Sequence, residues 1–327
     1  MAQRLVRYDE LRPCTTAFID ARTPGSDRKE NFTIIGPGVA ENPDQHVHIR
    51  IPHGFNIGAA RQPPHCVNSQ HSHQTAEVFI VHSGQWRFRT GERGDDGQVE
   101  LAPGDVISVP VKVFRGFENI GTDVGFMFAV LGGDDPGRVT WAPHVFDAAS
   151  QHGLLLLENG RLVDTTREQV PSDAKPMPRT TDVDVAQLRR LSSDALAGCV
   201  ARAAEFTAGG GLSKSKGFEE CPIIGPASSR EGLAAGKLSW PHGFQLRVLR
   251  VAAHARGVEH SRDEEEVLLM HSGKLTVEWQ SQSLMLLPGD TLTVPPGLAR
   301  QYANLGTSTA TLYIVRGGDQ PAAPQQS

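Results

Sequence analysis

The chain is written twice. Ile35-Gly36-Pro37 recurs as Ile224-Gly225-Pro226, and Pro52-His53-Gly54-Phe55 recurs as Pro241-His242-Gly243-Phe244, each pair 189 positions apart (224 − 35). His65, His71, Glu77 and His82-Ser83-Gly84 meet His254, His260, Glu266 and His271-Ser272-Gly273 at the same offset. No insertion interrupts these roughly 50 residues. Downstream the offset is 185 (288 − 103): Pro103-Gly104-Asp105 matches Pro288-Gly289-Asp290, Asn119 matches Asn304, and Gly132-Gly133-Asp134 matches Gly317-Gly318-Asp319. The four extra residues of the first copy fall in Gly91–Gly97, a turn-rich segment where added hairpin length is tolerated. A repeat of this length predicts two domains of one fold, and 327 residues are enough for two ordinary cores. The 34 Gly and 22 Pro favour many short strands and turns over long helices.

The chemistry concentrates at His71-Ser-His73-Gln-Thr-Ala-Glu77. On a β-strand alternate side chains share a face, so one extended strand would carry His71, His73, Thr75 and Glu77 on the same side. Two imidazoles and a carboxylate suit Fe(II), Mn(II), Ni(II) or Zn(II) better than Ca(II) or Mg(II), which favour an all-oxygen shell.

The spacing His71-x-His73-x3-Glu77-x6-Gly84 resembles the first signature motif of the cupin superfamily, small antiparallel β-barrels that hold a metal between strands. The second cupin motif finds its likeness in Gly104-Asp105 through Pro110 to Asn119. There Lys112 stands where the motif has Gly, and Arg115 stands where the family usually places its remaining metal-binding His. With the duplication, the likeness becomes one to the bicupins and covers about two thirds of the chain. It implies an all-β fold of two tandem cupin (double-stranded β-helix, or jelly-roll) barrels joined by a short mixed linker containing one helix.

The expected layout is an N-terminal arm over 1–30, a metal-binding barrel over 31–135, an inter-barrel segment over 136–216 and a second barrel with a degenerate site over 217–327. In the second copy Arg262 replaces the second His, and Arg300 again occupies the place of the missing ligand. A guanidinium stays protonated and ligates no metal, so this barrel is read as metal-free and structural. Within the linker, Leu154–Val163 reads as strand, turn and strand. Asp182 or Asp184 is placed to cap a helix running through Val185–Arg202. The arm is expected to pack on the other barrel or on a second subunit, and a homo-oligomer, a dimer, is the assembly such arms imply.

Net charge is −5 with no long basic run, which argues against nucleic acid and anionic membrane as partners. The first ten residues lack the apolar core of a signal peptide, and no stretch approaches the roughly 18 to 20 apolar residues of a membrane helix. Cys14, Cys66, Cys199 and Cys221 form no CxxC pair. That is thin usage for a disulfide scaffold, and a cytoplasmic location is the expectation.

His71, His73 and Glu77 are therefore the candidate metal ligands, with Fe(II) favoured and Mn, Ni or Zn as alternatives. Arg115 has three readings: it orients a substrate carboxylate with its planar fork, it neutralises Glu77, or it is a structural Arg, since Arg300 recurs in the sister barrel. His65 is a catalytic candidate, yet its recurrence as His254 beside a broken motif speaks equally for structure. Gln70, Trp86 and Phe88 are candidate pocket residues, with core packing the stronger role for the two aromatics. Three protein ligands leave open positions, as in non-haem Fe(II) oxygenases. The implied activity is a dioxygenase acting on a small carboxylate-bearing compound, aromatic ones included, as in the architecturally similar gentisate-type enzymes. The alternatives are a non-oxidative metal-dependent isomerase or decarboxylase, or a small-molecule-binding cupin without turnover.

Overall fold

The computed structural model describes residues 2–326 and divides into two bodies. Arg12–Pro52 and Asn56–Val200 form one; the chain up to Leu11, His53–Phe55 and everything from Ala201 onward form the other. Each is built from short, mostly antiparallel strands, the outcome expected of a Gly- and Pro-rich repeat, with Glu30–Ile35 and Val47–Ile49 pairing in parallel.

In the first body, one sheet runs Val106–Val109, Glu77–Ser83, Gly125–Gly132, Phe55–Gln62, Glu30–Ile35 and Val47–Ile49. The facing sheet runs Thr140–Trp141, Val67–Ser72, Arg115–Asn119, Trp86–Thr90 and Gly97–Leu101. Val78, Phe79, Ile80 and Val81 are all buried, so the Glu77–Ser83 strand is covered on both faces. The hairpin joining Trp86–Thr90 to Gly97–Leu101 contains the predicted extra residues, whereas its counterpart turns through Gln280 and Ser281 alone.

In the second body the main sheet runs Leu5–Val6, Thr291–Val294, Glu266–Ser272, Ala310–Gly317, Phe244–Val251 and Phe218–Ile224. Its edge strand comes from the N-terminal arm: Leu5 pairs with Leu292, and Arg7 and Arg4 form ion pairs with Asp290 and Glu265. The arm is thus split, since residues from Arg12 onward belong to the first body.

The linker departs from expectation. Among the described residues it holds three α-helices, Pro143–Gln151, Asp182–Ala186 and Ser193–Ala197, in place of one. Pro143 starts the first, with φ suited to a leading helical position, and Val145, Phe146 and Ala149 bury one face of it. The single helix expected over Val185–Arg202 is two. Thr181, not Asp182 or Asp184, caps the earlier one, with Asp184 returning a bond to the Thr181 N–H in a capping box. The chain then leaves helical geometry because the Arg189 N–H donates to the Lys112 carbonyl and the Leu191 carbonyl accepts from the Thr90 hydroxyl. Ser192 caps the next helix. The Leu154–Leu156 and Leu162–Asp164 strands pair as the sequence suggested.

No helix among the described residues is long and apolar enough to cross a membrane. All four cysteines are free.

Candidate metal centre

The trio does not ride on one strand. Val67–Ser72 ends at Ser72, and Glu77 opens the next strand in the facing sheet, so a turn over residues 73–76 separates the second imidazole from the carboxylate. His71 lies between Arg115 and Trp141 in register, and Glu77 lies between Val109 and Leu131. The turn nevertheless brings the three together at one end of the barrel, where all are buried and their ligating atoms lie within 4.8 Å of one another. Among the described residues no other His, Cys, Asp and Glu group meets this geometry.

The two imidazoles are held in the neutral form a cation needs. His71 Nδ1 sits 2.7 Å from the Ser69 carbonyl, so that nitrogen donates and Nε2 keeps its lone pair for the centre. Burial, then the nearby Arg115 charge, holds the His71 ring neutral down to about pH 3. His73 is depressed well below its ordinary value by burial, Arg115 and His71. Its Nε2 lies 3.5 Å from Glu77 Oε1, while its buried Nδ1 has no partner. Burial pushes Glu77 up, against the downward pull of Arg115. The fixed His71 tautomer and a Glu77 oxygen turned toward His73 Nε2, with the three ligating atoms within 4.8 Å, fit a divalent transition metal.

Arg115 is fully buried and takes the second of its three readings. Its Nη2 and Nε donate to Glu77 Oε2 at 2.7 and 3.2 Å, and Nη1 donates to the Val113 carbonyl at 3.3 Å. Three of its five N–H groups are engaged in this way and it does not line the cavity, so its geometry favours the neutralising reading over substrate binding. It leaves Oε1 as the free carboxylate oxygen.

The remaining candidates lie elsewhere. His65 stands in a turn with φ +60, its side chain 78 % exposed and outside the cavity lining. His254 has φ +59, so the recurrence marks a left-handed turn, not catalysis. Gln70 alternates with His71 and faces the other side of its sheet, donating to the Gly91 carbonyl at 2.7 Å. Trp86 and Phe88 are fully buried and pack on Phe117, behind the cavity wall. The Lys112 departure also has a backbone explanation: φ is +59 there and +74 at its counterpart Gly297, and the Lys holds the conformation that a Gly adopts freely.

Sequence reasoning missed the supports. The Ser69 N–H donates to Asp20 Oδ2, and Asp20 is paired with the buried Lys29, whose Nζ also donates to Asn68 Oδ1 at 2.9 Å. Both charges come from the N-terminal arm, which has no repeat partner to draw attention to it. Trp141 packs 5.3 Å from the His71 ring and donates from Nε1 to Glu41 Oε1 at 2.6 Å. Burial pushes the Glu41 carboxyl up to about 8.

The trio opens into a cavity of about 680 Å³, its mouth included. Phe18, Phe79, Phe117, Leu131 and Trp141 form much of its wall, and no Lys or Arg lines it. The sister barrel has filled the corresponding interior. At the repeat offsets Gly58, His73, Phe117 and Leu131 become Arg247, Arg262, Tyr302 and Arg316. There Glu266 accepts from Arg300 at 2.5 Å and from Arg316 at 2.6 Å, with Arg262 at 3.4 Å and the Tyr302 hydroxyl also bound. Burial alone would raise the Glu266 carboxyl, but the three guanidinium groups hold it well below the usual range. A carboxylate so engaged is closed to a cation.

The cupin domain family matches residues 59–131. No curated protein matches the sequence significantly. Among solved structures, oxalate decarboxylase from Bacillus subtilis is 13 % identical with a TM-score of 0.58, the similarity covering 99 % of this chain and 78 % of that one. A formate complex of oxalate decarboxylase from Lactobacillus farciminis is 8 % identical with a TM-score of 0.59, covering 98 % and 88 %. At such identities the likeness speaks for the fold, which extends over both copies of the repeat. Residues 59–131 are a cupin domain, and the chain as a whole has a fold similar to that of the oxalate decarboxylases.

Proposed function

We propose that the first barrel is the catalytic unit of a metal-dependent enzyme carrying out a non-oxidative conversion, a decarboxylation or an isomerisation, of a small carboxylate-bearing compound. The observation that carries this reading is the buried His71, His73 and Glu77 cluster opening into a mostly apolar cavity. The structural neighbours, oxalate decarboxylases, favour non-oxidative chemistry over the dioxygenase expectation.

In this reading His71 Nε2, His73 Nε2 and Glu77 Oε1 hold one divalent transition metal. Bound there, a metal would supply Lewis acidity toward a substrate carboxylate. Arg115 favours the ionised form of Glu77 against its burial and keeps it turned, and the Ser69 carbonyl keeps the His71 lone pair on Nε2. Phe79, Phe117, Leu131 and Trp141 exclude water around the rest of the substrate.

One observation favours a second reading. Two imidazoles and one carboxylate leave open coordination positions, the arrangement of Fe(II) oxygenases. Metal analysis of protein purified without chelators, followed by product analysis with and without O2, separates the two. Turnover of an acid at an unchanged rate under anaerobic conditions supports the first. Stoichiometric O2 consumption supports the second. Metal far below one per chain defeats both.

A further inference from the structure

The outer face of the first barrel carries positive charge that its sister neutralises at the matching place. Alternation along Trp86–Thr90 buries Trp86, Phe88 and Thr90 and sends Arg87 and Arg89 to the outward face. Arg89 stands in register with Gly116 on one neighbouring strand and Gln98 on the other, so no carboxylate lies directly opposite it. At the repeat offsets Val67, Arg89 and Gly116 become Arg256, Glu278 and Gln301. There the guanidinium is spent, since Arg256 forms an ion pair with Glu278 and donates to Gln301 Oε1 at 2.9 Å.

The hairpin that is four residues longer in the first copy turns this face into a groove of about 550 Å³, its mouth included. It contributes Arg93 and Gly94 to the wall. Gly94, with φ +76, lies so close to the strand that a Cβ there would stand 3.4 Å from both Arg89 Cβ and Gln70 Nε2. His144 completes the wall, and burial, then the Arg93 charge, pushes its ring below the ordinary value. Glu118 is the one carboxylate among the lining residues. Arg87 is held by Glu100 at 2.7 Å. Arg89 reaches only Glu118, at 3.6 Å, beyond hydrogen-bond length. Among the described residues the Arg93 side chain forms neither an ion pair nor a hydrogen bond. Two guanidinium groups therefore face the groove with their forks free. Its floor is the bulge where Ser69 and Gln70 together oppose Gly116, the outer side of the strand that presents His71 inward.

We infer that this groove is a binding site for a phosphate group, either the free ion or the monoester of a small compound. A phosphate monoester carries about −1.5 to −2 charge at pH 7 and three acceptor oxygens, which matches two unpartnered planar forks. A chloride ion balances only part of that charge and offers the forks no paired oxygens.

Calorimetric titration of the full chain with inorganic phosphate, glycerol phosphate and, at matched ionic strength, chloride tests this. Phosphate is expected to saturate one site per chain, and chloride to give no saturable heat. Arg89→Gln and Arg93→Gln, both at exposed positions where folding is not at stake, should each weaken phosphate binding about tenfold or more, the worth of one hydrogen bond to a charged group. Glu118→Gln removes the one carboxylate in the wall and should tighten binding, while Arg50→Gln, exposed and outside the groove, leaves it unchanged. Glycerol phosphate binding more tightly than phosphate identifies a monoester as the ligand, and the reverse identifies the free ion. Chloride binding as well as phosphate overturns the inference. So does phosphate affinity that survives both arginine substitutions, which would place the ion at the metal centre and not in the groove.

Discussion

Glu266→Gln and Glu77→Gln remove the same carboxylate from two copies of one fold. Their effects should diverge in metal binding and agree in stability. Glu266 is fully buried, with Arg300, Arg316, Arg262 and Tyr302 around it. Loss of its charge does not strand all three guanidinium groups, because Arg316 retains Glu220 and Arg262 retains Glu231 at 2.7 Å. Arg300 alone loses its only carboxylate, and the NH2 half of the Gln amide presents donors to donors. The expected destabilisation is therefore that of one broken buried pair, about 3–5 kcal/mol, a large share of a typical domain stability of ~5–15 kcal/mol. In a body of this size it lowers Tm by roughly 10 °C. Glu77→Gln strands Arg115 in the same way and should cost a similar amount. It should also abolish metal binding, which Glu266→Gln leaves at wild-type stoichiometry. Calorimetric melting and elemental analysis of both variants provide the readouts. A Glu266→Gln protein within ~1 kcal/mol of wild type would refute the assignment of the second interior as a mutually dependent charge network. Loss of metal from that variant would refute the assignment of the centre to the first barrel.

Two further outcomes follow from the same geometry. His73→Ala should weaken metal binding by at least about 100-fold in dialysis against a competing chelator, whereas Arg262→His should create no second site, since Arg300 and Arg316 still occupy Glu266. Glu220, which burial would raise, is instead held down to about 2 by Arg316 and Arg247. Its contribution is present above an unfolded value near 4.5 and is lost as pH falls toward 2, a change of roughly 3 kcal/mol in denaturant-derived stability. Stability flat across that window would remove the charge network from the account.

Much of the fold was legible because the evidence for it is one-dimensional. Repeated Gly-Pro and Pro-Gly-Asp turns at constant offsets survive wherever backbone conformation demands them. The paired His65 and His254 turns show that recurrence can report φ and not chemistry. The linker was read less well: its helix boundaries depend on the Arg189 and Leu191 backbone bonds to distant residues, which no local propensity encodes. Gln70 lies away from the cavity because alternation along its strand turns it to the face opposite His71.

By itself the sequence determined that there are two homologous barrels, that only the earlier retains two imidazoles beside its carboxylate, and that the later substitutes Arg at the second position. These are properties of residue identity and spacing. Tertiary structure alone decided that Glu77 and the imidazoles meet across a turn between two sheets, that Arg115 is committed to Glu77 Oε2, and that the cavity wall carries no cation. It also decided that Asp20 and Lys29 of the arm stand behind His71. The reason is physical: which oxygen of a carboxylate is free, and which donor lacks a partner, depends on side chains from distant strands competing for the same few ångströms.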